Sequence, residues 1–326
     1  MDKVLDIENL RVAFAAPNGI IKAVEGINLT VERGQCVALV GESGCGKSVT
    51  SLASMKLISS GNAIVKTDRH MLCGEDITDF TEAQMSEIRG KKASMIFQDA
   101  LSALNPVMTV GKQIDEIFFR HLGLKKKEAK ERSIEALRSV GIPDPAARYR
   151  SYPHELSGGM RQRVLIAMAF ACNPELIIAD EPTTAMDVTI QAQIMELLKE
   201  LQVKHGTGLL LVSHDLSVVA HMADKIMVMY SGKIVEEASA RELITNPVHP
   251  YTKGLLSSVI KINDTKGRFT QIKGTLPDPA NKPAGCYFCP RCSFAEDICR
   301  EKKPFLKELK EGHSVRCHFV GGGENE

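Results

Sequence analysis

An α/β fold organised on a largely parallel sheet is what the sequence predicts, on three observations. Short apolar runs bounded by breakers recur at 36–40, 93–97, 176–180 and 209–213, the mark of strands buried on both faces. Sequence compatible with helices lies between them, the alternation that parallel strands require. A glycine-rich loop, Gly41-Glu42-Ser43-Gly44-Cys45-Gly46-Lys47-Ser48, joins the first of these strands to the first helix.

From residue 4 to about 40 the pattern is strand-like, with two antiparallel runs at 5–14 and 20–31 before the strand at 36–40. The loop that follows matches phosphate-loop spacing in full, with a strand before it and a helix after it. Its glycines let successive N–H groups curl around an anion that the helix N-terminus also favours. Lys47 is expected at the β- and γ-phosphates and the Ser48 hydroxyl on magnesium. Cys45 stands at a variable position, a tolerated small residue. Its place at a helix N-terminus beside Lys47 is of the kind that lowers a thiol pKa, so alkylation that nucleotide blocks is the expectation.

The strand at 93–97 ends at Gln98. Helical, more polar sequence then runs to about residue 150, and the mixed charges of 125–132 read as a solvated face. Leu156-Ser157-Gly158-Gly159-Met160 opens a helix to about residue 171, with Ser157 as N-cap. Two glycines there leave the first amides unobstructed, which weakens a helix unless something approaches them. The run at 176–180 finishes in two acids, Asp180 and Glu181, followed by Pro182. At the C-terminal mouth of a parallel sheet, where such folds bind ligands, Asp180 is placed to hold magnesium and Glu181 to lie beside what the metal presents. Alone, that strand end reads equally as a pair of solvated acids; the phosphate loop decides against this. A helix from 188 to about 204 leads to the strand 209–213, which ends at His214 on the same sheet edge. Strands at 225–230 and 233–237 flank Ser231-Gly232 as a hairpin.

Bulk composition excludes several classes. A 326-residue chain, 44% hydrophobic and 25% charged with net charge +1, gives no electrostatic footprint for nucleic acid. No apolar run approaches the ~20 residues of a membrane helix, and the N-terminus lacks the apolar core of a signal peptide. Nine cysteines without a secretion signal suggest metal rather than disulfides, and a cytoplasmic chain. Five of them crowd the end, where prolines break the chain into an irregular extension with few core residues. Cys286-x5-Cys292-x6-Cys299-x17-Cys317, with Cys289 as a fifth thiol, suits an iron–sulfur cluster or zinc. Spacing does not choose between them, and a redox-inert tail of buried thiols is a third reading. A staple for the extension is the role such a site would have.

Taken in order, the phosphate loop, the Leu156-Ser157-Gly158-Gly159 signature, the paired acids and His214 resemble the ATP-binding subunit of an ABC transporter. The fold this implies is a P-loop NTPase of ABC type with an antiparallel β subdomain, a helical insert and an irregular Cys-rich extension. The domains are then 1–240, with the helical subdomain at about 99–171, and 241–326. Gly41, Ser43, Gly44, Cys45, Gly46, Lys47, Ser48 and Val49 become nucleotide contacts, with Phe14 stacking on adenine. Magnesium falls to Ser48, Gln98 and Asp180, with Gln98 linking that site to the permease and counted with the catalytic residues, the general base to Glu181, γ-phosphate sensing to His214 and dimer contacts to Asp187. Leu156, Ser157, Gly158, Gly159 and Met160 close the nucleotide of a second subunit. Met160 and Met186 depart from the commoner Gln and Leu of the family. Ala103-Leu104-Asn105-Pro106, Asn246-Pro247 with His249-Pro250-Tyr251-Thr252, and the cysteines narrow the resemblance to the dipeptide/oligopeptide importer branch, some of whose members carry nickel or oligosaccharides. It implies ATP, Mg²⁺ and a [4Fe–4S] cluster on Cys286, Cys292, Cys299 and Cys317, zinc being the alternative and Cys289 a departure. Implied partners are a second, paralogous ATPase subunit, two transmembrane permease subunits and, indirectly, an extracytoplasmic solute-binding protein, with no nucleic acid. The place is the cytoplasmic face of the membrane, peripherally. A soluble ABC ATPase of repair or translation, or a regulatory module that binds ATP without turnover, are readings from other classes. The lack of a coiled-coil insertion or second nucleotide domain, and the intact Glu181 and His214, argue against them.

Overall fold

A computed structural model describes residues 2–17, 19–58, 61–184, 186–258 and 272–320. In chain order the elements begin with β1 (Lys3–Ala16), β2 (Gly19–Glu32), β3 (Cys36–Val40), α1 (Lys47–Ser54), β4 (Ala63–Lys66), β5 (Arg69–Leu72), β6 (Glu75–Asp76), α2 (Glu82–Ile88) and β7 (Ala93–Ile96). Next come α3 (Ala100–Ala103), α4 (Val110–Leu122), α5 (Lys126–Ser139), α6 (Pro145–Arg148), α7 (Gly158–Phe170), β8 (Leu176–Asp180), α8 (Val188–His205), β9 (Gly208–Ser213) and α9 (Leu216–Ala220). The chain finishes with β10 (Lys225–Tyr230), β11 (Lys233–Ser239), α10 (Ala240–Thr245), α11 (Pro250–Ser258), α12 (Asp297–Glu301), β12 (Lys307–Lys310) and β13 (His313–Val315). It divides into two compact units, one of Met1–Asp6, Thr30–Gln35 and His70–Leu211, the other of Ile7–Leu29, Cys36–Arg69 and Val212–Glu326.

In the first unit β7 and β8 run parallel, Ala93 opposite Leu176 and Ile96 opposite Ala179. Every residue of β8 is buried, which is why it reads as a continuous apolar run rather than an alternating one. Helices α4 and α5 and Tyr149, just after α6, share an internal polar tie. Asp115 of α4, 5% exposed, accepts from Ser133 Oγ of α5 at 2.6 Å and from Tyr149 Oη at 2.5 Å. A buried carboxylate is tolerated because donors meet it. The charged run 125–132 lies on α5, which buries only Ala129, Ser133 and Leu137; the solvated face is as the periodicity demands.

In the second unit β3 runs parallel to β10, with Val37 opposite Lys225 and Val40 opposite Val228. β10 turns into antiparallel β11 through Ser231 (φ 46°) and Gly232 (φ 85°), the two left-handed residues that match a hairpin to strand twist. Farther back, β1 and β4 pair antiparallel, Phe14 opposite Ala63.

The extension departs from expectation. Far from lacking core residues, it buries Tyr251 and Val315 completely and Phe288 to 4% exposure. β13 pairs antiparallel with β11, Glu236 opposite Val315. Glu236, 0% exposed, accepts from the backbone N–H of Val248 (2.8 Å) and His249 (3.0 Å) and meets His313 Nε2 at 2.9 Å. One carboxylate therefore joins a hairpin strand, the segment before α11 and β13.

Candidate functional site

The residues singled out in the sequence fall into three clusters, each built within one unit. The phosphate loop follows β3, whose five residues are all buried, so its origin is rigid. Gly41 (φ 158°) and Gly46 (φ 113°) are required by close packing. A Cβ at Gly41 would strike the Met229 carbonyl oxygen, and one at Gly46 would come within 2.6 Å of the Ala23 carbonyl oxygen. Lys47 starts α1 with 4% exposure, its Nζ donating to the carbonyl oxygens of Gly41 (2.9 Å) and Glu42 (3.1 Å). The ammonium thus folds back over the loop's own first carbonyls. Ser43 and Gly44 are exposed, Ser48 and Val49 half-buried.

Cys45 overturns one expectation. It is 1% exposed, and burial pushes its thiol up to about 11, outweighing the charge and the backbone N–H of Lys47. Local charge is visible in the sequence, whereas desolvation dominates at this depth. Cys45 is a packing residue with a protonated thiol, not a reactive one.

The second cluster gathers at the end of β8. Asp180 closes the strand at 5% exposure. Glu181 follows with φ 47°, a left-handed conformation that costs a non-glycine residue of order 1 kcal/mol and turns its side chain off the strand direction. Its Oε2 accepts from Gln98 Nε2 at 3.2 Å and from Thr184 Oγ1 at 3.0 Å. The structure therefore brings Gln98, placed just after β7, onto Glu181. Thr184 is a contact the sequence reading missed; its signal was a hydroxyl three residues beyond the acid.

In the same unit, Ser157 caps α7 by accepting from the Met160 N–H at 3.3 Å. Leu156 is buried at 3% exposure, while Ser157 and Gly158 are exposed. A Cβ on Gly159 would meet Ile190 of α8 at 3.0 Å, but one on Gly158 would meet nothing within 4 Å. Packing inside the chain thus accounts for the second glycine and not the first. Asp187 caps α8 through the Ile190 N–H at 2.9 Å. In the other unit His214 directly follows β9 and is exposed, and Phe14 on β1 is half-buried.

The third cluster is the thiols. None of the nine cysteines is in a disulfide. Cys286, Cys289, Cys292, Cys299 and Cys317 all line one cavity of about 540 Å³. Burial raises the Cys286 thiol to about 11, with Cys299 and Cys317 adding to the rise; Cys292 and Cys317 are raised by burial and by neighbouring thiols as well. Thiols that raise one another this way are close in space. Yet among the described residues no three His, Cys, Asp or Glu side chains converge on a point that one metal ion could occupy. The donor set is all sulfur, fit for iron–sulfur or zinc. Among the described residues no helix is long and apolar enough to cross a membrane.

With this geometry in view, two family models match the chain, "ABC transporter" over residues 24–184 and "Oligopeptide/dipeptide transporter, C-terminal region" over 235–299. The oligopeptide transport ATP-binding protein AppD of Bacillus subtilis is 48% identical over 317 residues, 97% of each chain. The dipeptide transport ATP-binding protein DppD of the same organism is 46% identical, covering 97% of this chain and 95% of its own. Among solved structures, a dimeric post-hydrolysis state of the ATP-binding cassette MJ0796 bound to ADP and Pi is similar at TM-score 0.63 and 28% identity, over 73% of this chain and 99% of that one.

Proposed function

The chain belongs to the ABC transporter family, with its oligopeptide and dipeptide transport ATP-binding proteins, and from that premise we propose that it hydrolyses ATP to drive peptide import through a membrane permease. ATP and Mg²⁺ are the ligands of such an ATPase, and a permease and a partner ATPase its companions. The observation that carries the cargo class is the second match: residues 235–299 fit the oligopeptide/dipeptide C-terminal region, and identity with the peptide-transport relatives runs through it.

Roles follow for the residues described. The loop from Gly41 to Val49 binds the phosphates, with Lys47 at the β- and γ-phosphates and Phe14 against adenine. Ser48, Asp180 and Gln98 hold magnesium. Glu181 takes the proton of the attacking water as its oxygen bonds to the γ-phosphorus and the bond to ADP breaks, and His214 faces the γ-phosphate. The site is completed in trans by Leu156, Ser157, Gly158, Gly159 and Met160 of a second ATPase subunit, a paralogue, with Asp187 at the contact. Support for this comes from Gly158: an exposed glycine at a helix start, with open space where its Cβ would be, suits an anion brought by a neighbour. The subunit sits peripherally on the cytoplasmic face, and a solute-binding protein delivers the cargo on the other side.

Cys286, Cys292, Cys299 and Cys317 hold a [4Fe–4S] cluster. Support comes from the donor set: the four thiols, with Cys289, line one cavity, which suits such a cluster, with zinc as the alternative. Bound there, it would staple the extension. The test is the complex reconstituted with its permease: peptides stimulate ATP hydrolysis, whereas nickel or oligosaccharides doing so in their place would reassign the cargo. Anaerobic absorption and iron analysis of the same preparation would return zinc instead if the cluster reading is wrong.

A further inference from the structure

Glu42, the second residue of the phosphate loop, is held from three directions by groups of its own unit. Its backbone N–H donates to Tyr251 Oη at 2.9 Å, and its carbonyl accepts from Lys47 Nζ. Its carboxylate accepts both arms of the Arg291 guanidinium, Nη1 at 2.9 Å and Nη2 at 3.1 Å. The Arg291 side chain is only 5% exposed, and its Nε donates to the Lys273 carbonyl at 3.0 Å, which fixes the plane of the fork. Arg291 ends the turn Cys289–Arg291, immediately before Cys292. Phe288, at the start of that turn, packs on Tyr230 and Tyr251 with ring centroids 5.2 and 5.5 Å apart. The thiol-bearing segment therefore supplies two side chains to the support of a loop 249 residues away in sequence.

Two effects make this contact matter for nucleotide. A glycine-rich loop loses conformational freedom when it closes on phosphate, and a loop already tethered loses less. A carboxylate beside an incoming polyanion repels it, and a paired guanidinium cancels that field. With the Arg291 side chain 5% and the Glu42 side chain 28% exposed, the fork is screened less than a fully exposed surface pair. We infer that Arg291 is a positioning residue for the phosphate loop, holding Glu42 so that MgATP binds tightly, and that filling of the thiol site, by ordering the Cys289–Cys292 turn, strengthens nucleotide binding. The first half rests on the phosphate loop being the ATP site, the second on the thiol-site reading.

The experiment is a double-mutant cycle on the full chain, reading MgATP affinity by calorimetry, KM and kcat in the permease complex, and iron content of each variant. Arg291→Gln raises Kd and KM about tenfold with kcat held within about twofold, and the effect shrinks to less than about twofold in a Glu42→Gln background. Arg291→Lys, which keeps charge and stem but loses the fork, shows a smaller loss that also vanishes with Glu42→Gln. Equal losses in both backgrounds, no loss, or loss only in variants that have shed their metal would overturn the positioning role. Removing metal from the wild-type chain raises Kd as Arg291→Gln does; unchanged Kd overturns the link. A chain that carries neither iron nor zinc as purified would end the thiol-site reading and leave the cycle to judge Arg291.

Discussion

Gln98 Nε2 donates to Glu181 Oε2 at 3.2 Å across 83 residues of sequence, so the side chain after one buried strand orients the acid after its parallel neighbour. Thr184 Oγ1 donates to the same oxygen at 3.0 Å, so two donors from different parts of one unit fix the carboxylate proposed as the general base. Glu181→Gln is expected to keep MgATP binding and to lower turnover on the order of 10²–10⁴-fold, leaving a stalled nucleotide-bound dimer visible by size-exclusion chromatography. Near-normal phosphate release from that variant would remove Glu181 from the base role.

Gly158 separates folding from assembly. A methyl group there meets nothing in the chain, and alanine is the better helix former by up to about 1 kcal/mol. Gly158→Ala should melt no lower than the wild type while its ATPase activity in the complex collapses. Ser157→Ala, by contrast, should lose about 1 kcal/mol of stability with the cap. A fully active Gly158→Ala protein would exclude closure of the nucleotide by this helix start.

Cys45 should be inert in the folded chain. With its thiol raised to about 11, the thiolate fraction at pH 8 is about one in a thousand, and the buried sulfur is shielded besides. The folded pKa lies above the ordinary value of 9.0, so reactivity climbs only as pH approaches 11. Mass spectrometry after iodoacetamide should find Cys45 unmodified at pH 8 with or without ATP; rapid nucleotide-protected labelling would reinstate the reactive thiol.

Glu236 carries a stability prediction of its own. Removing a fully buried carboxylate that meets two backbone N–H groups and His313 leaves those donors unmatched. Glu236→Ala should destabilise the chain by about 3–5 kcal/mol in denaturant melts. A loss under about 1 kcal/mol would mean that water replaces the carboxylate.

The contrast between what was readable and what was not has a physical origin. Strands β3, β8, β9 and β10 declare themselves because burial on both faces forces uninterrupted apolar residues into them. Motifs such as the phosphate loop are local, so spacing reveals them. β12, with the sequence KELK, and the mostly exposed β4 are held by partners rather than by apolar pattern, and nothing in their sequence announces a strand. Arg291 on Glu42 and Gln98 on Glu181 are products of tertiary packing. Cys45 misled for the same reason: its neighbours in sequence are visible, and its depth is not.

The pairing of β13 along β11 has a practical outcome for anyone who shortens this chain to its nucleotide-binding portion. Cutting before residue 300 would uncover a row of backbone donors and acceptors at Glu236 and Glu237 and take from the buried Glu236 side chain its His313 partner. Such a fragment is expected to stick to itself through that bare flank, and its poor solubility would say nothing against the fold of the intact protein.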